Sequence, residues 1–108
     1  MDQKFDLFEK KEIDELKHLF NLDDDDFEVN EEGHVIVLKL INKNLKRIPK
    51  HITIFFQLEE LHLNNNQIEK LEFIEDLKKL RALFLHHNQI SKIEDLEALK
   101  KLQWLANG

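Results

Sequence analysis

The chain has 108 residues, 42% of them hydrophobic and 35% charged, with two glycines, one proline, no cysteine and a formal net charge of −6. That length is one domain able to bury roughly two thirds of its unfolded surface, and the composition excludes collagenous and low-complexity classes. The absence of cysteine removes disulfides, thiolate nucleophiles and thiolate zinc sites together, and the acidic balance disfavours nucleic acid, whose phosphates need clustered Lys and Arg.

The amino terminus, MDQKFDLFEKKEID, places acids and lysines where a secretory signal needs an apolar core. No run approaches the ~18 apolar residues of a membrane span, so the expectation is a cytoplasmic protein with no membrane contact. A first helix follows, with Asp6 and Glu9 in a capping-box arrangement. Phe5, Phe8, Ile13, Leu16, Leu19 and Phe20 fall mainly on one side of it, and it ends near Asn21. The acidic run Asp23 to Asp26 lacks the alternating ligands and closing Glu of a calcium loop and is expected to be a solvated linker. Next, FEV and HVIVLKL flank Asn30, Glu31, Glu32 and Gly33, which predicts an antiparallel hairpin.

From Leu58 the chain repeats itself. LEELHLNNNQIEKLEFIEDLKK and LRALFLHHNQISKIEDLEALKK are two blocks of 22 residues in one register. Leu58, Leu61, Leu63, Ile68, Leu71, Ile74 and Leu77 match Leu80, Leu83, Leu85, Ile90, Ile93, Leu96 and Leu99, and Asn66 matches Asn88. A preceding block of 23 residues, VIVLKLINKNLKRIPKHITIFFQ, carries a variant through Leu45, Ile48, Pro49, Ile52 and Phe55, with Lys43 where the later blocks have Asn. A last block begins as LQWLANG, with Asn107 where a buried Leu is expected. LEFIEDLKKLRAL and IEDLEALKKLQWL also read as amphipathic helices. Helical periodicity, however, does not require the Asn-Gln-Ile triplet to recur in step with the same leucines, whereas a repeat architecture does.

The pattern LxxLxLxxNxI resembles that of the leucine-rich-repeat superfamily, in its intracellular 22–23-residue form, from Val35 to Leu105. The resemblance implies an α/β leucine-rich-repeat solenoid with a short parallel sheet on its concave face, capped by the helix and hairpin. The expected division is one domain, 1–108, with a cap over 1–34, repeats over 35–57, 58–79 and 80–101, and a partial repeat over 102–108. Alternation along each short strand sends Leu61, Leu63, Leu83 and Leu85 to the core. The backs are expected to be compact, with 3₁₀ or irregular turns around LEFIEDL and IEDLEAL. Asn66 and Asn88 are assigned structural roles, because an amide side chain both donates to and accepts from buried turn peptides.

Catalysis is disfavoured by inventory. Ser91 is the single Ser and Thr53 the single Thr, Tyr is absent, and no glycine loop could cradle a phosphate. The chain is therefore read as a non-enzyme needing no cofactor and no metal. The outward strand positions are Val37, Lys39 and Ile41, then Glu60, His62 and Asn64, then Ala82, Phe84 and His86, then Trp104 and Ala106. The resemblance implies a protein partner on this face, and Phe84, Trp104, His62, His86, Glu60 and Lys39 are the candidate contacts, with the two aromatics at the energetic centre. The competing role for Phe84 and Trp104 is to cover each other or the open last repeat. His62, His86 and His87 are expected to make binding respond to mild acidification, with metal ligation by His62 and His86 beside Glu60 as the lesser reading. The basic patch Lys43, Lys46, Arg47 and Lys50 is read as a solvated loop. The leading function is a protein-interaction module or adaptor. The alternative is a structural or self-associating piece of a longer array, forming a homodimer through a C-terminal edge where Leu99, Leu102 and Leu105 await cover.

Overall fold

Helix α1, Leu7–Phe20, starts where Asp6 Oδ1 accepts the N–H groups of Phe8 and Glu9 at 3.1 and 3.0 Å. It stops at Asn21, which takes the left-handed conformation at φ 54° that Asn tolerates. These come from a computed structural model that describes residues 4–90 and the backbone of the strand at 104–106. The buried stripe of α1 is Glu9, Ile13 and Leu16, the i, i+4, i+7 spacing of one helical face. Phe8 and Leu19, expected on the covered side, are 75% and 50% exposed.

The difference traces to Glu9. Instead of completing a capping box at Asp6, its carboxylate crosses to the hairpin. Oε1 accepts the Val35 N–H at 2.7 Å and Oε2 lies 2.6 Å from His34 Nδ1. A carboxylate thus sits at the N-terminal end of the buried stripe, only 1% exposed and fully engaged. The Asp6 N–H donates to Gly33 O at 2.8 Å. Gly33 is required there: its φ is +89°, and a Cβ would lie 2.8 Å from the backbone of Phe5 and Asp6.

The acidic run folds into a 3₁₀ turn, Asp24–Asp26, closed by its own capping box between Asp23 and Asp26. Strands β1 (Phe27–Val29) and β2 (Val35–Lys39) then pair antiparallel across the turn residues. In that turn Asn30 Oδ1 accepts the N–H groups of Glu32 and His34. Strands β3 (Glu60–His62), β4 (Ala82–Phe84) and β5 (Trp104–Ala106) extend the sheet in the order β1-β2-β3-β4-β5. From β2 onward all pairs are parallel, in a mixed α/β architecture. Leu38, Leu61, Leu83 and Leu105 stand in register, so each strand is offset from the last by one sequence block.

Leu38, Leu40, Leu61, Leu63, Leu83 and Leu85 are all buried on one side of this sheet. The returning segments close over them with Leu45, Ile48, Ile52, Phe55, Leu58, Ile68, Ile74, Leu77 and Leu80. Two of these segments contain 3₁₀ turns, Lys50–Ile54 and Ile74–Asp76. Leu71 and Ile90 are half-buried and pack at the margin. The segment IEDLEAL lies outside the described residues.

Between strand and return the chain bends through peptides that no strand partner reaches. Asn66 Oδ1 accepts the N–H groups of Lys43 and Leu45, each at 3.0 Å, and its Nδ2 donates to the carbonyls of Leu40, Leu63 and Asn64. Asn88 repeats the device one block on, accepting from Ile68 N–H and donating to Leu63, Leu85 and His86. Each amide therefore serves the block before its own. The first block has no earlier repeat to serve, and Lys43 at the equivalent position instead donates through Nζ to the carbonyl of Asn21 at the end of α1.

Removing Asn66 should leave these bent peptides without partners, so Asn66→Ala is expected to cost roughly 2 to 4 kcal/mol in urea unfolding. Lys43→Ala, which loses one exposed contact, should cost less than about 1 kcal/mol.

Candidate binding face

Opposite the leucine core, alternation arranges the outward residues in rows across the strands. Val37, Glu60 and Ala82 form one row, and Lys39, His62 and Phe84 the next. Backbone hydrogen bonds from Leu40 and Asn42 to the carbonyls of His62 and Asn64, and from Leu63 and Asn65 to those of Phe84 and His86, carry the ladder past the strand ends. Ile41, Asn64 and His86 thereby continue the same face.

At its middle the rings of His62 and Phe84 stack, with centroids 4.1 Å apart and planes 11° from parallel. His62 Nε2 lies 3.3 Å from Glu60 Oε1, and Glu60 Oε2 is 4.0 Å from an Arg81 guanidinium nitrogen. The imidazole is held by a ring on one flank and a carboxylate at its tip, and its side chain is only 17% exposed. Val37 and Ala82 are buried although they belong to the outward row and lie outside the core cluster. They form a low apolar floor on either side of Glu60. The result is a surface of small apolar floor, flat stacked rings and partly exposed charge.

The six candidate contacts are not all brought together. Glu60, His62 and Phe84 touch, Lys39 stands beside His62 by strand register, and His86 follows Phe84 along the same face. Trp104 is placed by its backbone opposite Ala82, and its side chain lies outside the described residues, as do Leu99 and Leu102. His87 leaves the face altogether. It is exposed, with φ 58°, at the bend position that Asn42 and Asn65 occupy in the earlier blocks with φ 58° and 59°. Its backbone role there belongs to the turn.

Elsewhere, imidazole–carboxylate contacts fasten the cap. Besides the Glu9–His34 pair, His51 Nε2 lies 3.7 Å from Glu15 Oε1 and 4.0 Å from Glu12 Oε1, joining α1 to the 3₁₀ turn Lys50–Ile54. Among the described residues, the three-member groupings with metal-ligand character are Asp6, Glu9 and His34, and Glu12, Glu15 and His51. Neither contains His62 or His86. The first is committed to backbone and side-chain hydrogen bonds of the cap. The Thr53 hydroxyl donates to Lys50 O, which ties its proton to the backbone, and Ser91 lies outside the described residues.

The basic patch is divided among separate partners. Arg47 makes a two-pronged contact with Glu72, Nε to Oε1 at 3.1 Å and Nη2 to Oε2 at 2.8 Å. Lys43 reaches Asn21, as above, while Lys46 and Lys50 are exposed.

Compared with known protein families, residues 57–103 match the model described as Leucine Rich repeats (2 copies). A search of curated proteins gives no match. The matched span holds the His62–Phe84 stack and both ladder asparagines.

The Arg47 hydrogen bonds, with a smaller charge contribution, hold the Glu72 carboxyl below the usual glutamate range. A folded-state value lowered in this way gives stability that is present above the ordinary glutamate range and is lost as pH falls through the lowered value. NMR titration should therefore find Glu72 protonating at lower pH than an isolated glutamate, and Arg47→Ala should move it back up.

Proposed function

We propose that this leucine-rich-repeat protein is a protein-interaction module that takes its partner on the sheet face carrying the His62–Phe84 stack. Leucine-rich-repeat domains generally mediate protein–protein contacts. The observation that carries the reading here is the stack itself: two flat rings in contact, pinned by Glu60, on the side of the sheet that the leucine core does not use. Ordered aromatic side chains bury large area on binding at small entropic cost, which is why they dominate interface hot spots.

Lys39 and His86 border the rings as a polar rim, and strand register sets the backbone of Trp104 opposite Ala82 on the neighbouring strand, which makes it a further candidate contact. In this reading the repeats stack as a solenoid whose inward curvature makes the same face concave. The setting is cytoplasmic, consistent with a chain that has no cysteine. Among the described residues no helix is long and apolar enough to cross a membrane.

A second reading rests on the sheet order. Among the described strands β5 is the last in the order and pairs with β4 alone, and in this reading its other edge takes a second copy or further repeats. Homodimerisation through that edge makes the chain a self-associating or structural unit instead of an adaptor.

Phe84→Ala and His62→Ala separate these roles. Each is expected to cost less than about 1.5 kcal/mol in stability, since neither belongs to the leucine core. Against a partner captured from native cells and then purified, each should weaken affinity by about 30-fold, equivalent to about 2 kcal/mol. Variants that stay folded and bind as tightly as wild type would move the interface off this face. Sedimentation showing a concentration-dependent dimer that neither substitution disturbs would favour the edge reading.

A further inference from the structure

We propose that the groove between α1 and the outer edge of β1 docks a basic, extended peptide segment of a partner, which adds to the sheet as a strand beside β1. This site lies at the opposite end of the sheet order from β5 and is independent of the His62–Phe84 face.

The groove has a volume of about 390 Å³, with a floor of Phe5, Ile13, Phe27 and Val29 and with Lys17 and Asp24 on its rim. β1 is the first strand of the sheet and pairs with β2 alone among the described strands. Among the described residues no turn or loop backbone group bonds to Phe27, Glu28 or Val29. An antiparallel strand bonded on one side keeps alternate N–H and C=O groups directed outward, which is the template a further strand uses. Phe27 and Val29 are half-buried and Glu28 is exposed, so the edge offers apolar footing together with free access.

Charge selects the occupant. The lysines lining the groove are already paired, Lys10 with Asp14 at 3.1 Å and Lys17 with Asp24 at 2.8 Å. The adjoining turn and strand add Asp23, Asp25, Asp26 and Glu28 and no cation, so the surroundings carry a surplus of negative charge. The Phe27 ring already accepts an ammonium, with Lys17 Nζ 5.2 Å from its centroid. An extended segment presents successive side chains to opposite sides. One that alternates apolar residues with Lys or Arg sets the apolar ones into the groove and the cations against the acids. An acidic segment meets repulsion at every second position.

The test uses the full chain and fluorescence anisotropy with a labelled peptide alternating lysine and valine. One control has glutamate in place of lysine, and another carries the lysine–valine sequence N-methylated at alternate peptides, which keeps charge and removes strand hydrogen bonds. The lysine–valine peptide should bind saturably and shift the amide signals of Phe27 and Val29 while leaving those of Glu60 and His62 in place. Both control peptides, and the lysine–valine peptide against the exposed-site variant Asp25→Lys/Glu28→Lys, should bind at least about tenfold more weakly. Circular dichroism of that variant should match wild type. Equal binding of the glutamate peptide or the N-methylated peptide, equal binding by the charge-reversed variant, shifts centred on His62, or no saturable binding would each overturn the proposal.

Discussion

A peptide group that turns out of a strand into a buried bend must find a hydrogen-bond partner that the strand itself does not supply. In this protein Asn66 meets that constraint with both lone pairs and both amide protons, and it directs most of them into the preceding block. Asn88 divides its bonds, accepting the Ile68 N–H and donating to Leu63 in the block of Asn66 and donating to Leu85 and His86 in its own. The leucines alone allow adjacent blocks to slide or rotate, because apolar burial is not directional. The asparagines fix the relative height of neighbouring turns, and with it the strand register that sets Glu60, His62 and Phe84 in contact. The face is thus a consequence of how the turns are tied.

The dependence runs in one direction and explains the start of the array. A block needs an asparagine only if another precedes it, so Lys43 at the first such position serves a different end and donates to the carbonyl of Asn21, just past α1. The cap then faces the same problem at the head of β2, where the Val35 N–H is buried. Glu9 solves it from the helix side, much as Asn66 solves it from the next turn. Helix and hairpin are held by a side-chain acceptor placed against a buried donor, with Ile13 and Leu16 supplying the apolar contact around it.

Much of this is legible in the sequence because it is periodic or local. The recurrence of Leu, Asn and Ile at fixed offsets is the strand register seen in one dimension, and the hairpin turn, the N-cap Asp6 and the stop at Asn21 each depend on a few adjacent residues. What resists reading is long-range and depends on rotamers. Asp6 and Glu9 have the spacing of a capping box, and nothing within a few residues of them indicates that Glu9 is drawn to residues 34 and 35. Phe8 and Leu19 consequently look like core and are exposed. On the face, alternation places His62 and Phe84 outward, but their stacking depends on two side chains from neighbouring strands turning toward each other. His87 reads as a face residue because it follows His86. The positive φ of its bend assigns it to the turn.

Native-state hydrogen exchange on Asn66→Ala compared with wild type tests the tie between blocks most directly. If the amide of one block holds the turn of the block before it, the N–H groups of Lys43 and Leu45 should lose protection in the variant well beyond the general loss of stability, while the Ile68 N–H, held by Asn88, keeps its protection relative to the global value. Protection lost uniformly across all three, or lost at Ile68 and kept at Lys43 and Leu45, would contradict it.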